Sequence, residues 1–420
     1  MILILANYLK KRNIGKGNVI LIISERSHYY IISTLTVMKS GAAILPIDPK
    51  FPKECVRYMI DETKSKFILK YITNEEINNN LRFDDIMEYE LQSHPYEMNT
   101  DPVENTNVSS DLCYIIFTSS TTSKPKGTLI CHNNLVNYSL FSQTNKGKSD
   151  MYGDDFDNVL PSSKFTFDMS IGEIFYPLLK GCKIILCNNN EFNNSVLIGL
   201  LIMKHKIEYI FTVPSRIENY MNNEKFVKSL KLLKWTLIGG ERWNSKTLKN
   251  IVESSNTEII NPYGPIETIV ICTMKQLTDR INNKDNKNIT ITIGKPLCNC
   301  EIYILDKNYK AVPIGVEGEI NVGGKGVGKG YLNRPELISE KFIDTPFYDF
   351  NNNLHNGKLY RTEDLGKWTE DGEIICLGRI DFQIKLHGQR IKLNEIENTM
   401  KEIEGIDHFL VLCNENELGD

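Results

Sequence analysis

The first half of the chain alternates between short apolar runs and segments with helical periodicity. The run VILIIS (19–24) is followed by the helical pattern HYYIISTLTVMKSG, and AAILPID is followed by PKECVRYMIDET. Further apolar runs lie at 66–72, 114–117, 182–187, 207–213, 235–240 and 258–264. Strands that alternate with helices of about 10–15 residues are typical of βαβ units in a mostly parallel sheet. The pattern therefore predicts an α/β core.

The pattern changes after about residue 290. Four short strand-like segments, NITITIG, CEIYILD, GEINVGG and GEIICLG, are separated by stretches rich in Gly, Asn and Asp. Such spacing indicates an antiparallel β-rich subdomain. We therefore expect a large N-terminal core of βαβ-built sheets plus a small β-rich subdomain.

Composition narrows the class of protein. A chain of 420 residues, 41% apolar and 24% charged, suggests two or three globular domains. The net charge of −4 and the absence of a basic run argue against nucleic acid as a partner. At the N-terminus, positive charges follow the apolar start, which is the wrong order for a signal peptide. Because no run approaches the roughly 18–20 apolar residues of a spanning helix, we expect no membrane association.

Ten cysteines are present, and none forms a CxxC pair. Cys298 and Cys300 form a CxC without a second ligand cluster, which disfavours a zinc site. Several of the others lie in apolar runs, where a free cysteine behaves as a small hydrophobic residue. We therefore expect reduced thiols in a cytoplasmic protein.

Residues 112–127, LCYIIFTSSTTSKPKG, combine an apolar run with a polar loop. Hydroxyls and backbone N–H groups donate to phosphate oxygens, and lysine supplies positive charge. The loop does not match the GxxxxGK[ST] pattern of the P-loop. From this segment alone, a phosphate-binding loop and a plain polar turn both remain open.

The same segment resembles the YTSG(S/T)TGxPKG loop of adenylate-forming enzymes. Six further segments resemble blocks of that family in the same order: LTVMKSGAAILPIDP (35–49), FTFDMSIGEIFYPLLKGCKIIL (165–186), NPYGPIE (261–267), GEINVGGKGVGKGYLNRPELISEKF (318–342), YRTEDL (360–365) and GRIDFQIKLHGQRIKLNEIE (378–397). The later segments are most similar to amino-acid adenylation domains of nonribosomal peptide synthetases.

The resemblance implies that Mg-ATP activates a carboxylate as an acyl-adenylate, which then passes to a carrier protein's phosphopantetheine thiol. It implies an adenylation core over residues 1–380 and the start of a C-terminal lid over 381–420, with Asp381 as the hinge. Glu267 would hold Mg²⁺. The residues implied in ATP binding are Thr118, Ser119, Ser120, Thr121, Thr122, Lys126, Tyr263, Asp364 and Arg379.

The resemblance also implies an amino-acid pocket. Asp168 would pair with the substrate ammonium, which accounts for a lone carboxylate in an apolar setting. The other pocket positions are Met169, Gly172, Leu237, Gly239, Pro262, Val270 and Ile271. This set is apolar, with room left by the glycines, so it favours a neutral, apolar substrate side chain.

Each principal site residue also has a plainer interpretation. Asp168 would then be a helix N-cap, and Tyr263 a core aromatic near the sheet edge. Glu267 would be an ordinary glutamate at a helix start, and Arg379 would form a surface ion pair with Asp381.

The chain departs from the family pattern at several positions. Ser120 and Ser123 stand where the family has glycine, whose backbone freedom serine lacks. Ile266 replaces a threonine that contacts the α-phosphate, and Glu363 replaces a glycine and adds negative charge beside Asp364. The chain also lacks the family's first block and the late lysine block, so we expect an adenylation domain truncated at both ends.

Three functions remain open at this point. The first is amino-acid adenylation, favoured by Asp168, Glu267, Asp364 and Arg379. The second is a degenerate, non-catalytic relative, favoured by the departures and the missing lysine. The third is an acyl-CoA synthetase-like ligase, which Asp168 disfavours because a fatty acid has no ammonium group.

Overall fold

The computed structural model describes residues 1–92, 99–118, 124–141, 156–243, 245–278, 291–347 and 357–380, and the backbone of 384–386 and 389–391. The strands are β1 (Val19–Ser24), β2 (Ala43–Ile47), β3 (Phe67–Tyr71), β4 (Met87–Glu90), β5 (Leu112–Thr118), β6 (Lys126–Cys131), β7 (Asn158–Pro161), β8 (Lys183–Ile184), β9 (Tyr209–Thr212), β10 (Trp235–Ile238), β11 (Glu258–Tyr263), β12 (Thr273–Gln276), β13 (Lys295–Pro296), β14 (Cys300–Leu305), β15 (Gly318–Gly324), β16 (Gly330–Tyr331), β17 (Phe342–Asp344), β18 (Lys358–Trp368), β19 (Ile374–Arg379), β20 (Ile384–Leu386) and β21 (Gln389–Ile391).

The helices of the described residues lie mainly between strands of the first half. They are α1 (Ile2–Lys10), α2 (His28–Ser40), α3 (Lys53–Thr63), α4 (Glu75–Asn80), α5 (His132–Phe141), α6 (Met169–Lys180), α7 (Asn189–Phe192), α8 (Ser195–His205), α9 (Pro214–Met221), α10 (Glu224–Ser229), α11 (Ser245–Ser254) and α12 (Pro335–Lys341), with short 3₁₀ helices at Leu230–Leu232 and Ile266–Thr268. Within the described ranges, no helix has both the length and the apolar character needed to cross a membrane.

The first sheet has seven strands in the order β16-β6-β5-β2-β1-β3-β4. Its centre is parallel: Val19 of β1 is opposite Ala43 of β2, and Ile20 is opposite Phe67 of β3. The side chains of β1 are buried on both faces, which is why this strand is a continuous apolar run rather than an alternating one. The expected βαβ core is confirmed here.

The polar loop after β5 leads into a strand rather than into a helix. Residues 126–131 form β6, which pairs antiparallel with β5, so that Thr118 is opposite Lys126. The strand forms because Ile130 and Cys131 are buried and β6 has partners on both sides. The loop therefore joins two adjacent strands, and its two ends lie side by side.

The second sheet has the order β13-β12-β11-β10-β9-β7-β8. Strands β7, β9, β10 and β11 are parallel to one another, whereas β12 pairs antiparallel with both β11 and β13. The apolar run 182–187 forms a strand only over Lys183–Ile184. It ends early because it lies at the sheet edge and has a single partner, the four-residue β7.

The third sheet confirms the β-rich subdomain expected after residue 290. It has the order β14-β15-β18-β17, and β19 pairs with β18. All of its pairings are antiparallel, and they place Asp364 of β18 opposite Arg379 of β19. Strands β20 and β21 form a separate two-stranded antiparallel sheet. The division into 1–380 and 381–420 stays a prediction.

A buried polar junction links the first two sheets. The guanidinium of Arg26, just beyond β1, donates to the carbonyl oxygens of Pro161 and Ser163, each at 2.6 Å. On the other side, the buried carboxylate of Glu173 in α6 accepts from the backbone N–H groups of Ser162 at 2.7 Å and Ser163 at 3.1 Å. Burial raises the pKa of Glu173 to about 7, despite these two donors. The junction therefore contains a group that titrates near neutral pH.

We predict that this group makes stability fall as pH rises. The pKa of Glu173 lies at about 7 in the folded protein against an ordinary value of 4.5, so its stabilising contribution is complete below 4.5 and is lost as pH rises through 7. The unfolding free energy of the wild type minus that of Glu173→Gln should fall by about 3 kcal/mol between pH 4.5 and 8. Denaturant titrations at several pH values measure this difference.

The exposed residue Glu224, which pairs with Lys228 on the surface of α10, provides the control. Glu224→Gln should show the same pH dependence as the wild type. A difference between wild type and Glu173→Gln that stays constant with pH would contradict the assignment.

Candidate functional site

The carboxylate of Asp364 is held by two side chains from different sheets. The hydroxyl of Tyr263, at the end of β11, donates to Oδ2 at 2.5 Å, and Nη1 of Arg379 donates to Oδ1 at 3.3 Å. Burial, and then the negative charge of Asp364, raise the pKa of Tyr263 well above its ordinary value, so the phenol stays a neutral donor. The three predicted residues therefore form one cluster. Arg379 pairs with Asp364, and Asp381 lies outside the described residues.

Glu363, immediately before Asp364, has a left-handed backbone with φ of 62°. Glycine adopts this conformation freely, whereas another residue pays about 1–2 kcal/mol. Its carboxylate pairs with Nζ of Lys341 at 2.5 Å and with Nη2 of Arg379 at 3.3 Å. Glu363 therefore places a second carboxylate beside Asp364, and two cations pair with it.

A second cluster joins Lys126, Glu267 and Tyr331. Nζ of Lys126 lies 3.0 Å from Oε1 of Glu267 and donates to the Tyr331 hydroxyl at 2.8 Å, and that hydroxyl donates to the same Oε1 at 2.7 Å. The Glu267 side chain is 0% exposed. A fully buried carboxylate needs a partner of this kind. Glu267 is thus more than an ordinary glutamate at a helix start.

Tyr331 was not predicted as a site residue. It lies in the segment GKGYLNRPEL, part of the block 318–342 that resembles adenylate-forming enzymes. Burial, and then the charge of Glu267, raise the pKa of Tyr331 well above its ordinary value. The block that contains Tyr331 was identified in the sequence, but the contact with Lys126 depends on the pairing of β16 with β6.

The turn after Glu267 carries unusual backbone geometry. Ile269 and Val270 have φ values of 58° and 47°, which are outliers for β-branched residues. The turn is held between neighbours: a Cβ placed at Gly264 would lie 2.6 Å from the carbonyl oxygen of Val270, and one at Gly172 would lie 3.2 Å from Cγ1 of Val270. Such strain persists only where the surrounding structure enforces it, and it is concentrated at functional sites.

Asp168 lies at the N-terminus of α6 and is 9% exposed. Its side chain makes no capping hydrogen bond to the helix, so the N-cap interpretation lacks its defining interaction. The remaining predicted pocket residues lie at the start of α6 (Met169, Gly172), at the end of β10 (Leu237, Gly239), in β11 (Pro262) and in the strained turn (Val270, Ile271). The fold thus brings residues from four separate segments to one region.

The expectation that glycines leave room in this region is wrong. A Cβ at Gly172 would lie 2.4 Å from the Tyr138 hydroxyl oxygen. A Cβ at Gly239 would lie 2.3 Å from the carbonyl oxygen of Pro262. Both spaces are already filled, the first by a side chain from α5 and the second by the adjacent strand.

The structure describes the two ends of the predicted phosphate loop. Thr118 ends β5, and its buried Oγ1 has no hydrogen-bond partner among the described residues. Lys126 begins β6 opposite it. Ser119, Ser120, Thr121 and Thr122 lie outside the described residues, as does Ser123.

Comparison with known proteins gives the family. The family described as AMP-binding enzyme matches residues 2–332. The chain belongs to this family. It is 34% identical over 419 residues to bacitracin synthase 3 of Bacillus licheniformis, covering 99% of this chain and 6% of that protein. It is 33% identical to gramicidin S synthase 2 of Aneurinibacillus migulanus, covering 98% of this chain and 9% of that protein. The chain therefore spans less than a tenth of either relative.

Solved structures agree with this AMP-binding fold. NpsA-ThdA of Klebsiella oxytoca, an artificially fused adenylation–PCP di-domain, matches with a TM-score of 0.83 at 21% identity, over 99% of this chain and 80% of that one. The N-terminal subdomain of Klebsiella oxytoca NpsA, in complex with 3-hydroxyanthranilyl-AMSN, matches with a TM-score of 0.74 at 21% identity, over 90% of this chain and 89% of that one. The expected resemblance to adenylation domains of nonribosomal peptide synthetases is confirmed.

The ion pair between Glu363 and Lys341 in this AMP-binding chain leads to a prediction about the free energy of unfolding. Glu363→Gln keeps the left-handed backbone but leaves Lys341, whose side chain is 8% exposed, without its shorter ion pair. We expect a loss of about 2 kcal/mol in unfolding free energy, less than for a fully buried pair because Lys341 keeps Glu340.

Glu340→Gln is the matched control, because Glu340 is the other partner of Lys341 and is 58% exposed. Its loss should change the unfolding free energy by less than about 0.5 kcal/mol. Equal losses in the two variants, measured by denaturant titration, would contradict the prediction.

Proposed function

We propose that the chain uses Mg-ATP to activate an amino acid as its aminoacyl-adenylate, for transfer to the phosphopantetheine thiol of a carrier protein. The observation that carries the proposal is the meeting of two polar clusters with the region around Asp168. Tyr263 of the first cluster ends β11, and Glu267 of the second cluster follows it by four residues. The strained turn after Glu267 then packs against Gly172 of α6.

The nucleotide would use the first cluster and the phosphate loop. Asp364 has two acceptor oxygens, as two ribose hydroxyls require, and Tyr263 would present its ring to adenine. Arg379 would reach the ribose or a phosphate. Lys126 and the hydroxyls of residues 118–122 would contact the phosphates.

Glu267 suits a magnesium ion. Mg²⁺ is usually held by one or two carboxylates together with substrate phosphates, and Glu267 provides one buried carboxylate beside the phosphate-loop lysine. Bound Mg²⁺ would neutralise charge on the transferring phosphate. Lys126, which neutralises Glu267 in this structure, would then pair with phosphate oxygens.

Asp168 favours an amino acid over a fatty acid. A carboxylate that is 9% exposed in an apolar region is stabilised by an ammonium partner. The relatives named above are peptide synthetases, and NpsA-ThdA is described as joining an adenylation domain to a PCP domain. Both support a carrier-domain partner. The nine described cysteines are free thiols, which supports a cytoplasmic location.

We predict amino-acid-dependent pyrophosphate exchange, with measurable heat of Mg-ATP binding by calorimetry. Asp168→Ala should lower exchange at least about 100-fold, since it removes the ammonium partner. The exposed Asp157→Ala serves as the control and should leave exchange unchanged. Exchange driven only by fatty acids would support an acyl-CoA synthetase-like ligase and refute the amino-acid proposal.

A specific observation favours a second candidate, a degenerate adenylation domain. Ile266 is 6% exposed, precedes Glu267 in the sequence and packs in the buried apolar cluster that also contains Ile269 and Val270. It offers no hydrogen-bond donor where the family's threonine contacts the α-phosphate. Absence of ATP heat at millimolar concentration, together with absence of exchange, would establish this candidate.

Ile266→Thr separates slow catalysis from lost binding. A restored donor should raise the exchange rate by about 10²–10³, the size of the effect when one such donor is removed, with little change in the Kd for ATP. Ile266→Val, which shortens the side chain without adding a donor, is the matched control. Equal rates in the two variants would refute a role for the hydroxyl.

A further inference from the structure

We propose that Tyr138 is a specificity-determining residue of the amino-acid pocket, which it closes at Gly172 so that only small side chains fit. The inference rests on the proposed function and names its substrate class: glycine, alanine and side chains of similar size. Tyr138 belongs to α5 and is not among the predicted pocket positions.

The contact between α5 and α6 supports the inference. The two helices pack together, and Tyr138 is 2% exposed. A Cβ atom added at residue 172 would lie 2.4 Å from the hydroxyl oxygen of Tyr138, which is too close for a real contact. Gly172 therefore makes space for a side chain of the protein rather than for a side chain of the substrate.

Tyr138 also lines a narrow cleft. Ile269, Ile271, Leu297 and Cys298 are among the residues that line this cleft with Tyr138. Ile271 is a predicted pocket position, whereas Leu297 and Cys298 belong to the connection between β13 and β14. Tyr138 thus borders both Gly172 and this cleft, and a smaller residue at position 138 would enlarge the cleft.

The surroundings of Tyr138 also hold a second phenol. The hydroxyl of Tyr114, on β5, is fully buried and has no hydrogen-bond partner among the described residues. Burial first, and then charge at Asp168, raise the pKa of Tyr114 well above its ordinary value, and Tyr138 contributes in the same direction. Tyr114 and Tyr138 belong to the same buried apolar cluster, which also contains Ile171 of α6.

The test compares wild type and Tyr138→Ala across a series of increasing side-chain size: glycine, alanine, 2-aminobutyrate, norvaline, leucine and phenylalanine. Selectivity is measured by pyrophosphate exchange. In parallel, calorimetry measures binding of the matching non-hydrolysable aminoacyl-sulfamoyl-adenosines. One methylene in a pocket changes selectivity by about 10–200-fold. We expect the wild type to prefer alanine over leucine by at least about 10-fold, and Tyr138→Ala to reverse that order.

Two matched variants isolate the ring. Tyr138→Phe keeps its size and should keep the wild-type order within about threefold. Leu140→Ala, an exposed position on the same helix, should leave the profile unchanged. A folded Tyr138→Ala with the wild-type order, or a wild type that prefers leucine or phenylalanine, would overturn the inference while leaving amino-acid activation intact. If wild type and variant bind none of the analogues, both the inference and the proposed function are overturned.

A stability measurement tests the geometry without activity. Gly172→Ala should destabilise the wild type, because the new methyl group meets the Tyr138 hydroxyl. The same change in the Tyr138→Ala or Tyr138→Leu background should be tolerated. Additive effects in this double-mutant cycle would refute the contact.

Discussion

The buried ion pair between Lys126 and Glu267 is the interaction on which the site depends. Removing a carboxylate completely from water costs several kcal/mol unless a cation and hydrogen bonds replace the water. Glu267 is fully buried, so Lys126 and the Tyr331 hydroxyl must both reach it. These residues come from β6, from β16 and from the turn after β11, so satisfying one carboxylate fixes the first sheet against the end of the second.

Three non-glycine residues with a left-handed backbone lie directly beside predicted site residues. Ile269 and Val270 turn directly after the helix that carries Glu267, and Glu363 turns directly before Asp364. Each left-handed non-glycine residue lowers the stability of the fold, and contacts with neighbouring residues must offset that cost. Val270 is held by packing against two glycine positions, whereas Glu363 is held by charge from Lys341 and Arg379. Packing and ion pairing thus stabilise the two turns in different ways.

The sequence predicted those features that depend on local pattern. The run at 19–24 became a central strand, because a strand buried on both faces is apolar throughout. Asp364 and Arg379 were each predicted as ATP-binding residues from motif resemblance, and the register of β18 and β19 places them opposite each other. Strand β6 was missed because its segment has no strong alternation, and because one of its two partners, β16, lies far along the chain. The filling of the space at Gly172 was also beyond prediction, since it comes from Tyr138 on another helix.

Under the proposed function, ligand binding at the nucleotide side would be an exchange of partners. Asp364 already accepts from Tyr263 and Arg379, and Glu267 already pairs with Lys126. A ribose hydroxyl or a metal ion contributes only the difference between its own interaction and the one that it displaces, together with the desolvation it requires. Affinity for Mg-ATP would then depend on what Lys126 gains from phosphate oxygens when it leaves Glu267. The predicted phosphate loop would consequently be coupled to the proposed metal site through this single side chain, since Thr118 and Lys126 lie opposite each other at the two ends of the loop.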